Sequence, residues 1–335
     1  MAKIFGIDLG TANTLICAKG KGIILRAPSV VAINDTSREI VALGMSAKSM
    51  LGKTPEGITA FRPLRGGVIA EYEVASKMVR GFLEVSGAFS IFSRPSIIVC
   101  IPHEATGVEK RALEDAIFEA GARSVALIEE PLAAAIGTGL RVGAAKGSMI
   151  VDIGGGSTEI AVISHGGIVS AGSVRIAGDE FDEAIVEHLR KTRNTLIGTA
   201  TAEDLKRGCG SAHSSFDKGE MVVAGRNLLS GMGATIRVSS AEVREAVREP
   251  LGEIIDAISH TLETTPPELS ADIYDYGIML TGGGAMLRGI DRLITEKTGI
   301  KVTVAKRPLE AVCIGISRVL ESEGQMGDLL RYRGR

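Results

Sequence analysis

The chain has 335 residues, of which 45% are apolar and 23% are charged, and its formal net charge is −2. This length fits about two domains, and this composition excludes a disordered chain. The small net charge argues against nucleic acid as a partner, and no apolar run approaches the roughly 20 residues of a membrane-spanning helix. The four isolated cysteines, and a start that enters a strand pattern without room for a signal peptide, indicate a cytoplasmic protein.

Short β-branched runs alternate with amphipathic segments along most of the chain, and this alternation predicts an α/β fold. The predicted strands are Ile4–Asp8, Thr14–Ala18, Ser29–Asn34, Ser96–Ile101, Ser148–Asp152, Thr158–Ser164 and Gly277–Leu280. The predicted helices are Tyr72–Ser86, a helix between the capping box at Thr106 and Gly121, Ser240–Thr264 with a break at Pro250, and Met286–Thr298. The basic end, Leu329–Arg335, is expected to be frayed.

Two segments of the chain have similar sequences. Phe5–Ile16 matches Met149–Ile160 when Asp8 is aligned with Asp152, an offset of 144 residues (152 minus 8). Each copy is an apolar strand that ends in Asp, a turn with Gly and hydroxyl residues, and a second apolar strand. Chance similarity of two Gly-rich hairpins is one interpretation. The other is a duplicated protein in which each half brings one hairpin to a shared cleft.

The turns of both hairpins are suited to bind phosphate, because small residues let backbone N–H groups converge on an anion. The candidate binding residues are Gly10, Thr11, Ala12 and Asn13 in the first turn and Gly154, Gly155, Gly156, Ser157 and Thr158 in the second. Two such turns facing each other would hold a polyphosphate, with which a divalent cation is expected. Asp8 and Asp152 are the candidates to hold Mg²⁺ through its water shell, although either Asp alone could simply cap its turn.

Two further segments could complete such a site. Gly282, Gly283, Gly284 and Ala285 follow a predicted strand and allow a flat or anionic group to approach a helix N-terminus. Glu129 and Glu130 end a predicted strand just before Pro131, where a carboxylate could hold the water that attacks a terminal phosphate. The alternative is that both glutamates are only favourable charges near a helix start. The alanines at 133–135 predict that another element packs closely against this helix.

These motifs resemble those of the actin, sugar-kinase and heat-shock-chaperone ATPase superfamily, and within it the bacterial actins of the MreB/Mbl type. The resemblance covers about residues 3–322. The matching motifs are Gly6–Thr14 and Asp152–Glu159 as phosphate loops, Glu129–Ala135 and Leu309–Gly315 as connecting helices, Arg175–Glu180, and Leu280–Gly284 as the adenosine loop. The phosphate loops are diagnostic of the superfamily, and the Gly-Thr-Ala-Asn-Thr and Glu-Glu-Pro strings are specific to the MreB-like branch.

The resemblance implies an actin-like ATPase fold, with two duplicated α/β domains around a nucleotide cleft. Domain I would span residues 1–145 plus 309–335, with a small subdomain at about 33–70. Domain II would span residues 146–308, with a small subdomain at about 180–250. The implied ligands are ATP, with GTP as the alternative, and Mg²⁺. The match to the family implies that Glu130 would position the attacking water and that Thr158 would assist it. It also implies that the ribose and adenine side would be formed by Glu203, Asp204, Leu205 and Lys206.

The chain departs from the family pattern in three places. After Lys206 the family usually has Ile/His-Glu-Ile-Gly, whereas this chain has Arg207-Gly208-Cys209-Gly210. Glycine in a helix costs about 1 kcal/mol, so the purine side is expected to be weakened. Gly66 stands where the family usually has an acid, and Ser157 replaces the usual Thr while keeping the hydroxyl. Nucleotide binding is expected to survive, because neither aspartate is affected.

The segment Gly87–Pro95 is unusually apolar for a loop, because it contains Phe89, Ile91 and Phe92. In the family a loop here dips into the bilayer; the alternative is that these side chains cover the edge of their own domain. The resemblance further implies head-to-tail, paired filaments on the inner face of the cytoplasmic membrane. There, family members guide the cell-wall elongation machinery and so set cell shape.

Three other functions stay open at this point. A small-molecule kinase of the superfamily would need a catalytic Asp and a substrate subdomain, for which no convincing segment is present. A chaperone-like switch would need a β-rich peptide-binding module, for which no space follows residue 335. A filament protein that binds ATP but barely hydrolyses it would be compatible with the altered purine segment.

Overall fold

The computed structural model describes residues 3–89, 94–322, 326 and 329–334. Its first half contains β1 (Ile4–Leu9), β2 (Asn13–Ala18), β3 (Gly22–Pro28), β4 (Val31–Asn34), β5 (Ile40–Leu43), α1 (Met45–Lys48), β6 (Ile58–Phe61), β7 (Leu64–Arg65), β8 (Val68–Ile69), α2 (Tyr72–Val85), β9 (Ser96–Ile101), α3 (Gly107–Glu119), β10 (Ser124–Glu129) and α4 (Glu130–Thr138). Strands and helices alternate, as predicted.

The second half begins with β11 (Ser148–Ile153), β12 (Thr158–Ser164), β13 (Gly167–Val174), α5 (Gly178–Arg193), β14 (Thr195–Leu196), α6 (Thr199–Gly208), β15 (Glu220–Asn227), β16 (Gly233–Ser239), α7 (Ser240–Ala246) and α8 (Arg248–Glu263). It continues with α9 (Pro267–Tyr276), β17 (Ile278–Thr281), α10 (Ile290–Thr298), β18 (Val302–Val304), α11 (Ala311–Glu321) and β19 (Arg331–Gly334). Short 3₁₀ turns lie at Ser214–Phe216, Gly284–Met286 and Pro308–Glu310.

Two large sheets repeat one layout. The first has the order β19-β10-β9-β1-β2-β3, and the second has the order β13-β12-β11-β17-β18. In both, the hairpin is antiparallel, and its first strand also pairs in parallel with a later strand, β9 or β17. Smaller three-stranded sheets, β5-β4-β6 and β14-β15-β16, extend each half. The predicted domain limits stay a prediction, although β19 joins the first sheet.

The apolar core has three main parts. One fills the first half around Ile7, Met78 and Ile117, and another fills the second half around Val151 and Phe181. The third lies between the two sheets and includes the inner faces of both hairpins together with α4 and α11. The two halves therefore share a core at their seam.

The helices α4 and α11 cross closely inside this seam. A Cβ atom on Gly137 would collide with the carbonyl oxygen of Ala311, and a Cβ atom on Gly315 would collide with that of Ala133. Each helix thus uses a glycine to admit the backbone of the other. The close packing predicted from the alanine stripe of α4 is confirmed.

Three local predictions need correction. The helix expected from Met286 begins at Ile290, after a 3₁₀ turn and Gly289 with a left-handed φ of 75°. The long run Ser240–Thr264 is interrupted at Val247 rather than at Pro250, because Pro250 lies in the first turn of α8, where no helical partner for its nitrogen is needed. Within the segment that was predicted to be frayed, Arg331–Gly334 instead forms β19, which pairs antiparallel with β10.

None of the helices within the described ranges is both long enough and apolar enough to cross a membrane.

Candidate nucleotide site

The two echoing hairpins have the same register. Asp8 pairs with Leu15 in the first, and Asp152 pairs with Glu159 in the second. The turns close in the same way, because the Gly10 N–H donates to the Asn13 carbonyl at 3.1 Å and the Gly154 N–H donates to Ser157 at 2.9 Å. Every one of these partners is offset by 144 residues, as in the sequence alignment. The duplication is therefore structural and not a chance similarity of two turns.

The turns face each other across one cleft. A Cβ atom on Gly155 would lie 3.1 Å from the Ala12 nitrogen, and one on Gly156 would lie 3.0 Å from the Thr11 hydroxyl oxygen. Both turns line a cavity of about 480 Å³, and the carboxyl-bearing residues Asp8 and Asp152 line the same cavity. The sequence prediction that both hairpins contribute to a single cleft is confirmed by this arrangement.

Three carboxylates lie together in the cleft: Asp8 and Asp152 are buried, and Glu130 is half-buried. Burial raises the pKa of Asp8 to about 7, although a hydrogen bond from the Cys100 thiol lowers it. Burial, followed by the charges of Asp8 and Glu159, raises the pKa of Asp152 to about 8. Burial and the neighbouring Asp152 and Asp8 charges also hold the pKa of Glu130 well above its usual range. These groups repel one another, and a bound cation would relieve the repulsion.

The donor set fits a hydrated cation better than a directly ligated one. Across the described ranges, no set of three or more His, Cys, Asp or Glu side chains is arranged to hold a metal ion directly. Mg²⁺ usually keeps several of its waters and contacts few protein groups. Asp8 and Asp152, only 8% and 4% exposed, are therefore suited to hold such an ion through water.

The structure assigns different places to Ser157 and Thr158. Ser157 lines the cleft, whereas Thr158 is fully buried and its hydroxyl donates to the Ile176 carbonyl at 2.7 Å. Thr158 does not line the cavity, and its assistance to Glu130 stays a prediction. Ser157, in the turn before β12, is the hydroxyl residue of this pair that lines the cavity.

On the purine side, helical periodicity divides the four predicted residues. Glu203 and Lys206 line the cleft, whereas Leu205 is fully buried in the core and Asp204 is exposed outside the cleft. Residues three apart share a helix face, whereas the intervening ones do not, so Asp204 and Leu205 do not line the cleft, and their contact with nucleotide stays a prediction. Arg207 joins the cleft lining.

The glycines after Lys206 do not break the helix. The helix α6 continues to Gly208, where a Cβ atom would collide with the sulfur of Met221 in β15. A Cβ atom on Gly210 would likewise collide with the Lys206 carbonyl. The atypical glycines thus let β15 and the following loop approach α6 closely, which compensates for their low helix propensity.

The third glycine cluster lies against the second hairpin. Gly282 has a left-handed φ of 85°, and a Cβ atom there would collide with the Ile153 carbonyl and the Asp152 carboxylate. Gly282, Gly283 and Gly284 line the cleft, but Ala285 is 3% exposed and belongs to the core. The prediction is therefore corrected for Ala285 alone.

Residues of the segment at about 33–70 also reach the cleft, and the sequence did not predict this. Lys48 forms an ion pair of 2.8 Å with Glu203, and Arg62 forms one of 2.5 Å with Asp179. These pairs join residues more than 100 positions apart, so no local pattern could have indicated them. The turn between β7 and β8 also reaches the site, where the Gly67 N–H donates to the Thr11 hydroxyl at 3.0 Å.

Lys206 also has partners within the protein. Its ammonium group pairs with Asp182 at 2.8 Å and donates to the Gly178 carbonyl. Burial raises the pKa of Asp182 to about 6, while the nearby Lys206 lowers it. Lys206 therefore fixes the start of α5 beside the second phosphate turn.

Only part of the apolar loop is described. Phe89 is half-buried against the core of the first half, and the Arg80 guanidinium lies 5.9 Å from its ring centre. For Phe89 the structure thus favours the alternative that it covers its own domain. Ile91 and Phe92 lie outside the described residues, and their membrane role stays a prediction.

Comparisons with known proteins identify the family of the chain. The family model described as MreB/Mbl protein matches residues 2–328. The cell shape-determining protein MreB of Escherichia coli K12 is 51% identical, over 94% of this chain and 92% of that protein. The corresponding protein Mbl of Bacillus subtilis 168 is 45% identical, over 96% of both. The kinase and chaperone alternatives are not favoured by these relatives.

Solved structures show the same fold. MreB5 of Spiroplasma citri bound to AMPPNP has a TM-score of 0.92 at 34% identity, and its ADP-bound form has 0.91 at 33%; each covers 98% of both chains. The MamK double helical filament has a TM-score of 0.81 at 22% identity, over 96% of this chain and 99% of the MamK chain, a likeness of fold alone. With its duplicated hairpins around one cleft, the chain belongs to the MreB/Mbl family of actin-like, cell shape-determining proteins.

Proposed function

We propose that the chain is a slow, Mg²⁺-dependent ATPase whose nucleotide cycle controls its assembly into membrane-associated filaments that organise cell-wall synthesis and elongation. The observation that carries the proposal is the pair of glycine-rich turns that face each other beside the carboxylates of Asp8, Asp152 and Glu130. The nucleotide-bound structures of Spiroplasma citri MreB5 support it. ATP is the proposed nucleotide, and GTP is the alternative that the test must compare.

Different residues of the cleft would have different roles in hydrolysis. Backbone N–H groups of the two turns would bind the phosphates, and Asp8 and Asp152 would hold Mg²⁺ through water. When bound, Mg²⁺ would supply positive charge next to the transferring phosphoryl group. Glu130 would orient the attacking water and accept its proton, and the Ser157 hydroxyl would donate a hydrogen bond nearby. Gly282–Gly284, Glu203 and Lys206 would enclose the nucleoside.

Self-association has support in two exposed apolar places on the second half. Leu229 and Met232 at the β15–β16 turn are 81% and 71% exposed, and Tyr274 and Tyr276 near the end of α9 are 71% and 61% exposed. Two different surfaces on one chain suit a head-to-tail contact, which does not close and therefore grows filaments. We assign these surfaces to a second copy of the chain, within protofilaments that pair.

The central experiment measures ATP-dependent pelleting and phosphate release in parallel, with GTP and with EDTA as comparisons. We expect pelleting and release with ATP and Mg²⁺, and loss of both in EDTA. The double change Leu229→Ser with Met232→Ser should abolish pelleting, whereas Val222→Ser, at another exposed apolar position but within β15, should not. Soluble protein under ATP and Mg²⁺ with lipid present would contradict the filament proposal.

The proposed location is the inner face of the cell membrane, next to the cell-wall elongation machinery. Ile91 and Phe92 are the proposed apolar contacts with lipid, on the same loop that Phe89 anchors to its own domain. The double change Ile91→Ser with Phe92→Ser should reduce co-sedimentation with liposomes, and Val108→Ser is the control at another exposed apolar position. Unchanged co-sedimentation of the double variant would refute this contact.

A further inference from the structure

Ser29 is a buried serine that lies directly behind the first turn of the cleft. It follows β3, it is fully buried, and it does not line the cavity. Its hydroxyl donates to the Gly10 carbonyl at 2.6 Å, and its backbone N–H donates to the Ala12 carbonyl at 3.0 Å. One residue outside the cleft therefore binds two carbonyl groups of this turn.

These two hydrogen bonds fix the direction of two N–H groups of the turn. A planar trans peptide directs its carbonyl and its N–H to opposite sides. The Gly10 carbonyl shares a peptide with the Thr11 N–H, and the Ala12 carbonyl shares one with the Asn13 N–H. Because both carbonyls are directed at Ser29, both N–H groups are directed away from it, toward the cavity that the turn lines.

The Ser29 hydroxyl is itself held in place by a second hydroxyl. The Thr14 hydroxyl lies 2.8 Å from it, and Thr14 is the donor because the Ser29 proton goes to Gly10. Thr14 is only 1% exposed, so this pair of hydroxyls is shielded from water. Without the Ser29 hydroxyl, the Gly10 carbonyl would lose a donor in a place where water does not replace it.

The second turn is held in a different way. Gly154, the equivalent of Gly10, has a carbonyl that accepts from the Gly178 N–H at 3.3 Å, and the Gly155 carbonyl accepts from the Asp179 N–H at 2.7 Å. Both donors are backbone groups at the start of α5. A helix N-terminus thus supports the second turn, whereas the first turn depends on a single side-chain hydroxyl.

We propose that Ser29 is a positioning residue that holds the first turn from behind, so that the N–H groups of the turn stay directed at the phosphates of the nucleotide. This inference rests on the proposed function, in which the turn binds phosphate. Ser29 itself would not touch the nucleotide. Its loss should therefore weaken the binding of the phosphates and leave the binding of the nucleoside, which other segments of the cleft would enclose, unchanged.

The test compares Ser29→Ala with Ser164→Ala in the equilibrium binding of ATP and of adenosine. Ser164 is the matched control, because it is also buried and its hydroxyl also donates to a backbone carbonyl, that of Ala145 at 2.9 Å. We expect Ser29→Ala to bind ATP about tenfold more weakly and adenosine within about twofold of the wild type. Ser164→Ala should bind both ligands like the wild type. Unchanged ATP affinity in Ser29→Ala, or an equal loss for ATP and adenosine, would overturn the inference.

Hydrogen exchange at the Gly10 amide provides a readout that needs no nucleotide. This N–H closes the turn by donating to the Asn13 carbonyl, so its exchange reports whether the turn stays formed. In the nucleotide-free protein, Ser29→Ala should speed this exchange at least about fivefold relative to wild type, and Ser164→Ala should not. Equal exchange in all three proteins would refute the role of Ser29 while leaving the proposed ATPase intact.

The two measurements also separate this inference from the function on which it rests. A wild-type protein that binds no ATP would refute the proposed function, and the exchange experiment would still decide whether Ser29 holds the turn. Melting temperatures should show that both variants are folded, because each loses only one hydroxyl group.

Discussion

The two hairpins share a backbone but not a chemistry. Across three neighbouring strands, the first half aligns Asp8, Leu15 and Arg26, whereas the second half aligns Asp152, Glu159 and Ser173. The Arg26 guanidinium pairs with Glu310 at 2.6 Å, so the first row ends in a cation. The second row has two carboxylates and no cation. The common fold thus supplies two equivalent turns, and the differences place a second acid beside the aspartate of the second half alone.

Glu130 gives the strongest test of this difference between the two halves, because it belongs to the first half of the chain but lies near the acids of the second. Glu130→Ala should leave nucleotide affinity unchanged and slow phosphate release about 100-fold, since general-base assistance is worth at least that factor. Single-turnover phosphate release and equilibrium nucleotide binding are the measurements.

Glu129→Ala is the matched control for that prediction. Glu129 faces away from the cleft, where its Oε1 lies 3.3 Å from His103 Nδ1 and 3.6 Å from the Arg331 guanidinium. This neighbour should therefore release phosphate at close to the wild-type rate. Equal slowing by both substitutions would remove Glu130 from its hydrolytic role.

The raised pKa values of the two aspartates, one in each row, can be tested through the pH dependence of stability. The pKa values of Asp8 and Asp152, about 7 and 8 in the folded protein, lie above the ordinary value of 3.8. Between the ordinary and the raised values the folded state binds protons that the unfolded chain releases, so stability without nucleotide should fall as the pH rises from about 4 to about 8 and then level off. In EDTA, Asp152→Asn should flatten this fall and stabilise the protein at about pH 8 by on the order of 2 kcal/mol or more.

Asp8→Asn sharpens the same comparison. It should stabilise the nucleotide-free protein less than Asp152→Asn does, because Asp8 has a thiol donor in Cys100, whereas Asp152 lies opposite a second acid. Denaturant unfolding of both variants across the pH range checks the order. A wild-type protein whose stability rises over this range would contradict the assignment of raised pKa values to both aspartates.

The crossing of α4 and α11 is a place where the two halves behave alike. Because Gly137 and Gly315 each admit the backbone of the other helix, Gly137→Ala and Gly315→Ala should each destabilise the protein by about 1–3 kcal/mol, the usual cost of overpacking. Gly252→Ala is the matched control: a Cβ atom there, inside α8, would meet nothing within 4 Å, and alanine should raise stability by about 0.5–1 kcal/mol. Unfolding free energies measure all three. A mild effect at only one of the crossing glycines would show that the packing is not reciprocal.

Repetition explains how much of this molecule the sequence could predict. The two turns, their aspartates and the strands around them are local patterns, and the offset of 144 residues places both hairpins at one cleft. The repeat extends to the threonines that follow the turns, because Thr14, the equivalent of Thr158, is also buried, with its hydroxyl 2.8 Å from that of Ser29.

Other parts of the site leave no local trace in the sequence. The pairing of Lys48 with Glu203 joins residues 155 positions apart. The hydrogen bond from Gly67 to Thr11 depends on how the segment at about 33–70 packs against the first turn. The break at Val247 was misplaced because a proline is compatible with a first helical turn as well as with a kink. Such features follow from tertiary packing, which one sequence does not reveal.

The smallest expected effect distinguishes Ser157 from Thr158 and so tests which of these two neighbouring hydroxyls serves the nucleotide. Ser157→Ala removes a hydroxyl that lines the cleft, and it should slow phosphate release about tenfold with little effect on stability. Thr158→Val keeps the shape of the side chain but removes the hydrogen bond to Ile176, so it should lower the unfolding free energy by about 1 kcal/mol and leave release unchanged. Thr14→Val, the equivalent change in the first hairpin, should resemble Thr158→Val and not Ser157→Ala. If Thr158→Val instead slowed phosphate release while Ser157→Ala did not, the buried hydroxyl would be the one that serves the nucleotide, and the role proposed for Ser157 would be wrong.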